Sequence, residues 1–193
     1  RNEYFDQSGE SNNELAGRLR GRLDVTRSFS LGASVFAEDR VEPRTEFIND
    51  FSPDAPIEYT IQGVTAEANY QNDRVRWTNA VGIREEDFKN GRAISTGLPI
   101  DQSFRDRTVT DARSRLSYAV SPNLAVYGQG TYQNSEYDVL QDIGGALRSR
   151  DSQGYTVSGG VDFELTALIR GDIAVGYLEE QKDDAYFSDV SGL

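Results

Sequence analysis

A hairpin repeated four times constrains this chain more than any other feature. Short turns fall near Arg27, Asp73, Pro122 and Ala167, spaced 45–49 residues apart. Each is flanked by two stretches of about 10–12 residues in which apolar and polar side chains alternate, and longer polar loops join the hairpins. Alternation at period two puts one class of side chain on each face of a strand, whereas a helix would scatter the two classes around its axis. Short turns on one side, long loops on the other and dyad-patterned strands between are the pattern of a transmembrane β-barrel.

The first predicted strand, about 14–25, sets Leu15, Gly17, Leu19, Gly21, Leu23 and Val25 against Arg18, Arg20, Arg22 and Asp24. The second sets Phe29, Leu31, Ala33, Val35 and Ala37 against Ser30, Gly32, Ser34, Phe36 and Glu38. In the third, about 58–71, Val64, Ala66, Ala68 and Tyr70 oppose Thr65, Glu67 and Asn69. In the fourth, Val75, Trp77, Val81 and Ile83 oppose Arg76, Thr78, Gly82 and Arg84, and Asn79 interrupts the apolar face. The fifth, about 107–120, places Ala112, Ser114, Leu116, Tyr118 and Val120 against Asp111, Arg113, Arg115 and Ser117; the sixth covers 124–137. The seventh runs Tyr155, Val157, Gly159, Val161, Phe163 against Thr156, Ser158, Gly160, Asp162, Glu164. The eighth opposes Ile169, Gly171, Ile173, Val175 and Tyr177 to Arg170, Asp172, Ala174 and Gly176.

The predicted class is therefore all-β: an antiparallel up-and-down transmembrane β-barrel with four hairpins, about eight strands, over the single segment 1–193. Long outer loops are expected near 1–13, 39–57, 87–106, 138–152 and 183–193. Short periplasmic turns are expected near 26–28, 72–74, 121–123 and 166–168. Aligned about their turns, the hairpins put Leu23, Tyr70, Tyr118 and Phe163 at one equivalent position. Tyr70, Tyr118 and Phe163 suit an interfacial aromatic girdle, since amphipathic rings settle at headgroup level. A propeller also repeats at about 40–50 residues, but its blades hold four strands each and lack a consistently long loop on one side.

No stretch approaches the roughly 20 apolar residues of a transmembrane helix, a requirement that barrel strands do not share. The net charge of −12 opposes nucleic-acid binding, which needs clustered Lys and Arg on an exposed face. There is no cysteine and no histidine, so disulfides, thiolate metal sites and Ser–His–Asp catalysis have no residues to use. No enzymatic activity, cofactor or metal is expected. The start, Arg1 to Phe5, carries no signal-peptide core. With short turns inside, both ends of the chain fall on the long-loop side. This arrangement points to an internal stretch of a larger barrel, the alternative being an eight-strand barrel of inverted topology.

Two stretches, Gly17-Arg18-Leu19-Arg20-Gly21-Arg22-Leu23-Asp24-Val25 and Val157-Ser158-Gly159-Gly160-Val161-Asp162-Phe163-Glu164-Leu165-Thr166, together with Tyr177 and the segment from Asp183 to Leu193, carry a likeness. Through them the whole chain resembles the putative β-barrel porin 2 family of Gram-negative outer membranes. The resemblance implies a large outer-membrane barrel that acts as a pore, and a link in some members to exopolysaccharide export.

The candidate lumen-lining residues are Arg18, Arg20, Arg22, Glu67, Arg76, Arg84, Asp111, Arg113, Arg115, Asp162, Glu164, Arg170 and Asp172. Charged rings tune pore selectivity, and the same charges paired with one another would brace the wall; both readings stand. Loop acids such as Asp39, Glu42, Glu46, Asp50 and Asp54 lack the spacing of a dedicated calcium loop and read as solvated. The pair Asp162 and Glu164 has arginine neighbours and no sign of acid–base tuning. The expected function is a porin-like channel or export conduit for hydrophilic solutes, exopolysaccharide among them. The alternative is a structural barrel that anchors a larger envelope complex. Expected partners are outer-membrane lipid and lipopolysaccharide, with other envelope or export proteins as candidates and no nucleic acid.

Overall fold

The computed structural model describes residues 14–42, 56–93, 96–166 and 168–193. The predicted loop 1–13, the acids Glu46, Asp50 and Asp54, and Ala167 of the fourth turn lie outside the described residues. In chain order the strands are β1 (Leu15–Asp24), β2 (Phe29–Val41), β3 (Glu58–Asn72), β4 (Val75–Phe88), β5 (Gly91–Arg92), β6 (Pro99–Ile100), β7 (Arg107–Ser121), β8 (Leu124–Tyr137), β9 (Gln141–Ile143), β10 (Ala146–Arg148), β11 (Ser152–Thr166), β12 (Ile169–Lys182) and β13 (Val190–Gly192). One short 3-10 turn spans Ser103–Arg105, and no α-helix occurs among the described residues.

Nine of these strands form one antiparallel sheet in the order β1-β2-β3-β4-β7-β8-β11-β12-β13. Its eight long strands follow the up-and-down path read from the alternation. Four features differ from expectation. The sheet is open rather than a closed barrel: among the described residues β1 bonds only to β2, and β13 only to β12 over Leu178–Glu180. The segment 183–193, expected as loop, contributes β13. The long strands also reach beyond the apolar alternation, β4 to Phe88 and β12 to Lys182. Backbone pairing needs no apolar side chain, so the ladder outruns the pattern that announces it. Within the predicted loop 138–152, β9 and β10 form a tight hairpin around Gly144 and Gly145, with φ of 64° and 85°. Two successive positive φ values make the primed turn that suits a two-residue hairpin.

The register shows how the sheet leans. One row of paired neighbours runs Leu19, Val35, Val64, Ile83, Thr110, Asn134, Gln153, Gln181. The two members of this row within a hairpin are 16 residues apart in the first hairpin, 19 in the second, 24 in the third and 28 in the fourth. The row thus climbs away from the short turns by about one residue per strand. At about 3.3 Å per residue and 4.8 Å between strands, strands whose short turns share one level lean by about 35°. That is the tilt that barrel closure requires.

The two faces differ as the sequence demands. Leu19, Ile173 and Val175 on the apolar face are 72%, 70% and 71% exposed, and they belong to a continuous band with Leu31, Val64, Val81, Leu116 and Val157. An apolar surface this extensive calls for a non-aqueous neighbour. Asn79 sits in this band, but it is not stranded. The Ser114 hydroxyl donates to Asn79 Oδ1 at 2.8 Å, and Trp77 Nε1 donates to Ser114 Oγ at 3.0 Å. Three polar groups on β4 and β7 thus satisfy one another sideways, as they would have to in hydrocarbon. Ser114→Ala should cost about 1–2 kcal/mol in lipid, measured by denaturant unfolding from vesicles, because it orphans the indole N–H and the Asn79 carbonyl together. A neutral result would show that water reaches this face.

Candidate functional site

The polar face is the candidate site. All thirteen candidate residues named from the sequence lie on it, because the antiparallel registers keep alternate residues in phase from β1 to β12. Its cationic strand residues are eleven: Arg18, Arg20, Arg22, Arg40, Arg76, Arg84, Arg107, Arg113, Arg115, Arg170 and Lys182. Its acids are nine: Asp24, Glu38, Glu67, Glu86, Asp111, Asp162, Glu164, Asp172 and Glu180. This face is net positive in a chain of net charge −12. The compensating acids of the strands, Asp39, Glu58, Glu85, Asp87, Glu136 and Glu179, stand on the opposite face at the long-loop end, past the apolar band.

On β7 to β12 most of the charges are tied down. Arg115 places one Nη on both oxygens of Asp162, at 2.8 and 2.7 Å. Its guanidinium lies 3.5 Å from the ring centre of Tyr127, whose hydroxyl donates to Asp172 Oδ2 at 3.3 Å. The Tyr127 ring fits because residue 160 is glycine: a Cβ there would stand 2.7 Å from the ring's Cζ. Arg170 pairs with Glu164 at 3.1 Å. One interlocked set thus spans four strands. Tyr127, only 9% exposed, is its hub and was not singled out by sequence.

Toward the long loops a second set forms. Glu86 accepts from Arg84 at 3.1 Å and from Arg107 at 2.8 Å, and Arg84 also reaches Asp111 at 3.4 Å. Arg107 donates to the Tyr137 hydroxyl at 3.2 Å. Above it, Arg105 grips Glu42 through two bonds of 2.5 and 2.8 Å and lies 4.0 Å over Phe88, which stacks on Tyr59. The 3-10 turn therefore lies against the polar face. Beside it, burial raises the Asp106 carboxyl above its usual range, against the bond it accepts from the Phe88 N–H; Asp87, Asp138 and Asp101 add to the rise.

On β1 to β4 the charges are looser. Arg18 reaches Glu38 at 3.5 Å and Arg22 reaches Asp24 at 2.8 Å. Arg113, on β7, finds only the neutral Gln129 at 2.9 Å. Arg20, Arg76 and Glu67 have no side-chain partner among the described residues. The arginines of β1 and of β7 form two groups rather than one cluster. Arg22 and Arg113 share a row, but three strands separate them, or about 19 Å at 4.8 Å per step.

On the apolar face, Tyr70, Tyr118 and Phe163 stand near the short turns, with Trp77 paired to Tyr70. A second aromatic set lies at the other edge of the band and was missed from sequence. Tyr132 pairs with Tyr155, and Tyr155 and Tyr177 both donate to Glu179 Oε2, at 2.6 and 3.2 Å. Two aromatic levels bounding an apolar band are what a membrane with two interfaces selects.

An antiparallel up-and-down sheet with an exposed apolar band, aromatic borders and a charged reverse face has the arrangement of a β-barrel wall. The chain belongs to the putative beta-barrel porin 2 family, whose model matches residues 2–193. Neither a curated protein nor a solved structure gives a significant match.

Proposed function

We propose that this chain forms part of the wall of a porin-like outer-membrane channel, a non-catalytic conduit for hydrophilic solutes. The observation that carries this reading is the contrast between its faces. The apolar face suits lipid, and the reverse face lines its strands with arginine, carboxylate and amide groups that suit water. The family's name supports an outer-membrane location, and polysaccharide is a candidate cargo through the same kinship. A scaffolding barrel is the second reading, favoured by the Arg115–Asp162–Tyr127–Asp172 set, which braces the wall and leaves those charges engaged. The test is purified full-length protein in planar bilayers. Discrete conductance steps that scale with salt are expected, and folded, heat-modifiable protein that passes no current would favour the scaffold.

A further inference from the structure

We infer that the short-turn end of the polar face holds an anion-binding hollow, one that takes solutes bearing carboxylate or phosphate groups. The inference rests on the conduit proposed above and names the class of solute that its wall would select. The hollow measures about 520 Å³ and is lined by Arg22, Asp24, Asn69, Gln71, Arg76 and Thr78. Arg27 and Asp73 of the adjoining turns complete its charged groups.

Several of its donors have no side-chain acceptor among the described residues. Arg76 has no side-chain partner among the described residues. Arg22 spends its Nε on Asp24 at 2.8 Å, and its Nη groups have no side-chain partner among the described residues. The side chains of Asn69 and Gln71 likewise have no side-chain partner among the described residues. A guanidinium carries five donors and no acceptor, so open arginines beside open amides are free to take oxygen from a solute in place of water. The contrast with Arg84, Arg107 and Arg115 on the same face is direct, since each of those is held by carboxylates. Bracing accounts for those three and leaves Arg76 unexplained.

A second observation separates anionic from neutral solutes. A neutral sugar is held on a wall of this kind by stacking on open ring faces. Four rings of the polar face lie against guanidinium groups and a fifth, Tyr59, stacks on Phe88; Phe29 and Tyr70, which also line the hollow, belong to the apolar-face row. Arg18 lies 5.2 Å from the Phe36 ring centre, Arg105 4.0 Å from Phe88, Arg115 3.5 Å from Tyr127 and Arg150 4.2 Å from Tyr137. At these four positions the polar face presents N–H edges in place of open ring faces.

The experiment is current block of the full-length protein in planar bilayers, with three probes added from either side: trigalacturonate, pyrophosphate and the neutral maltotriose. Calorimetry on the detergent-folded chain runs beside it. Trigalacturonate or pyrophosphate should bind and block, more strongly from the short-turn side, and maltotriose should do neither. The stronger of the two anions tells an acidic sugar from a phosphate. Arg76→Gln breaks no ion pair, should keep normal heat-modifiability, and should weaken anion binding about tenfold. Arg22→Gln with Arg76→Gln should weaken it further. Equal response to maltotriose, or anion binding unchanged in the double variant, overturns the hollow while leaving a conducting channel intact. Anion binding in calorimetry without any current upholds the hollow and rejects the conduit.

Discussion

Arginine at Ile173 is expected to cost about 2–4 kcal/mol of folding free energy in a bilayer, while arginine at the adjacent Ala174 changes it by less than about 1 kcal/mol. Ile173 lies at the middle of the apolar stretch of β12, between Gly171 and Val175, and is 70% exposed. In water that exposure would be a liability and a charge there would relieve it. In hydrocarbon the same charge must be dragged to an interface or hydrated by a defect. Ala174 is also exposed, but it points to the side that carries Asp172 and Arg170. Folding into phospholipid vesicles, followed by denaturant titration, measures both substitutions. Equal costs would show that the two faces meet the same solvent and would remove the membrane reading with them.

Valine at Gly160 is expected to cost about 1–3 kcal/mol through overpacking. A Cβ at this position would come 2.5 Å from the Ile173 carbonyl oxygen and 2.7 Å from both Cζ and the hydroxyl of Tyr127. The ring must then leave its seat, which breaks its bond to Asp172 and removes the surface beneath Arg115. Tyr127→Ala in the Gly160→Val background clears the ring but not the carbonyl. The double variant should therefore lose less than the sum of the two single losses, the signature of residues in contact. Strict additivity would mean that the ring does not rest on residue 160. Both variants are read by the same vesicle titration.

The alternation of Leu15 to Val25 against Arg18 to Asp24, and its echo in each later hairpin, was enough to assign the faces and the order of the long strands. Register was not so legible. Nothing local to Arg22 or Arg113 tells how many strands lie between them, and pairing through β2, β3 and β4 sets that distance. Tyr127 drew no notice because its role depends on Gly160, its partner on a different strand. Asn79 looked like a flaw in the apolar face because its partner, Ser114, is 35 residues distant. The outer tyrosines had a usable signal: Tyr132 and Tyr177 each follow a short-turn centre by ten residues. β13 had none, since Val190, Ser191 and Gly192 are too few to show a period.

The one-residue climb per strand makes depth an oblique coordinate on this wall. Leu23, Tyr70, Tyr118 and Phe163 stand at a common distance from the short turns, yet the partners of Tyr70 are Phe29 and Trp77, and those of Phe163 are Leu124 and Gly171. Residues joined by the ladder therefore sit at different heights in a bilayer, and residues at one height touch different partners. Fluorescence quenching by lipids brominated at known carbons would sort these positions by their distance from the turn, cutting diagonally across the hydrogen-bonded rows.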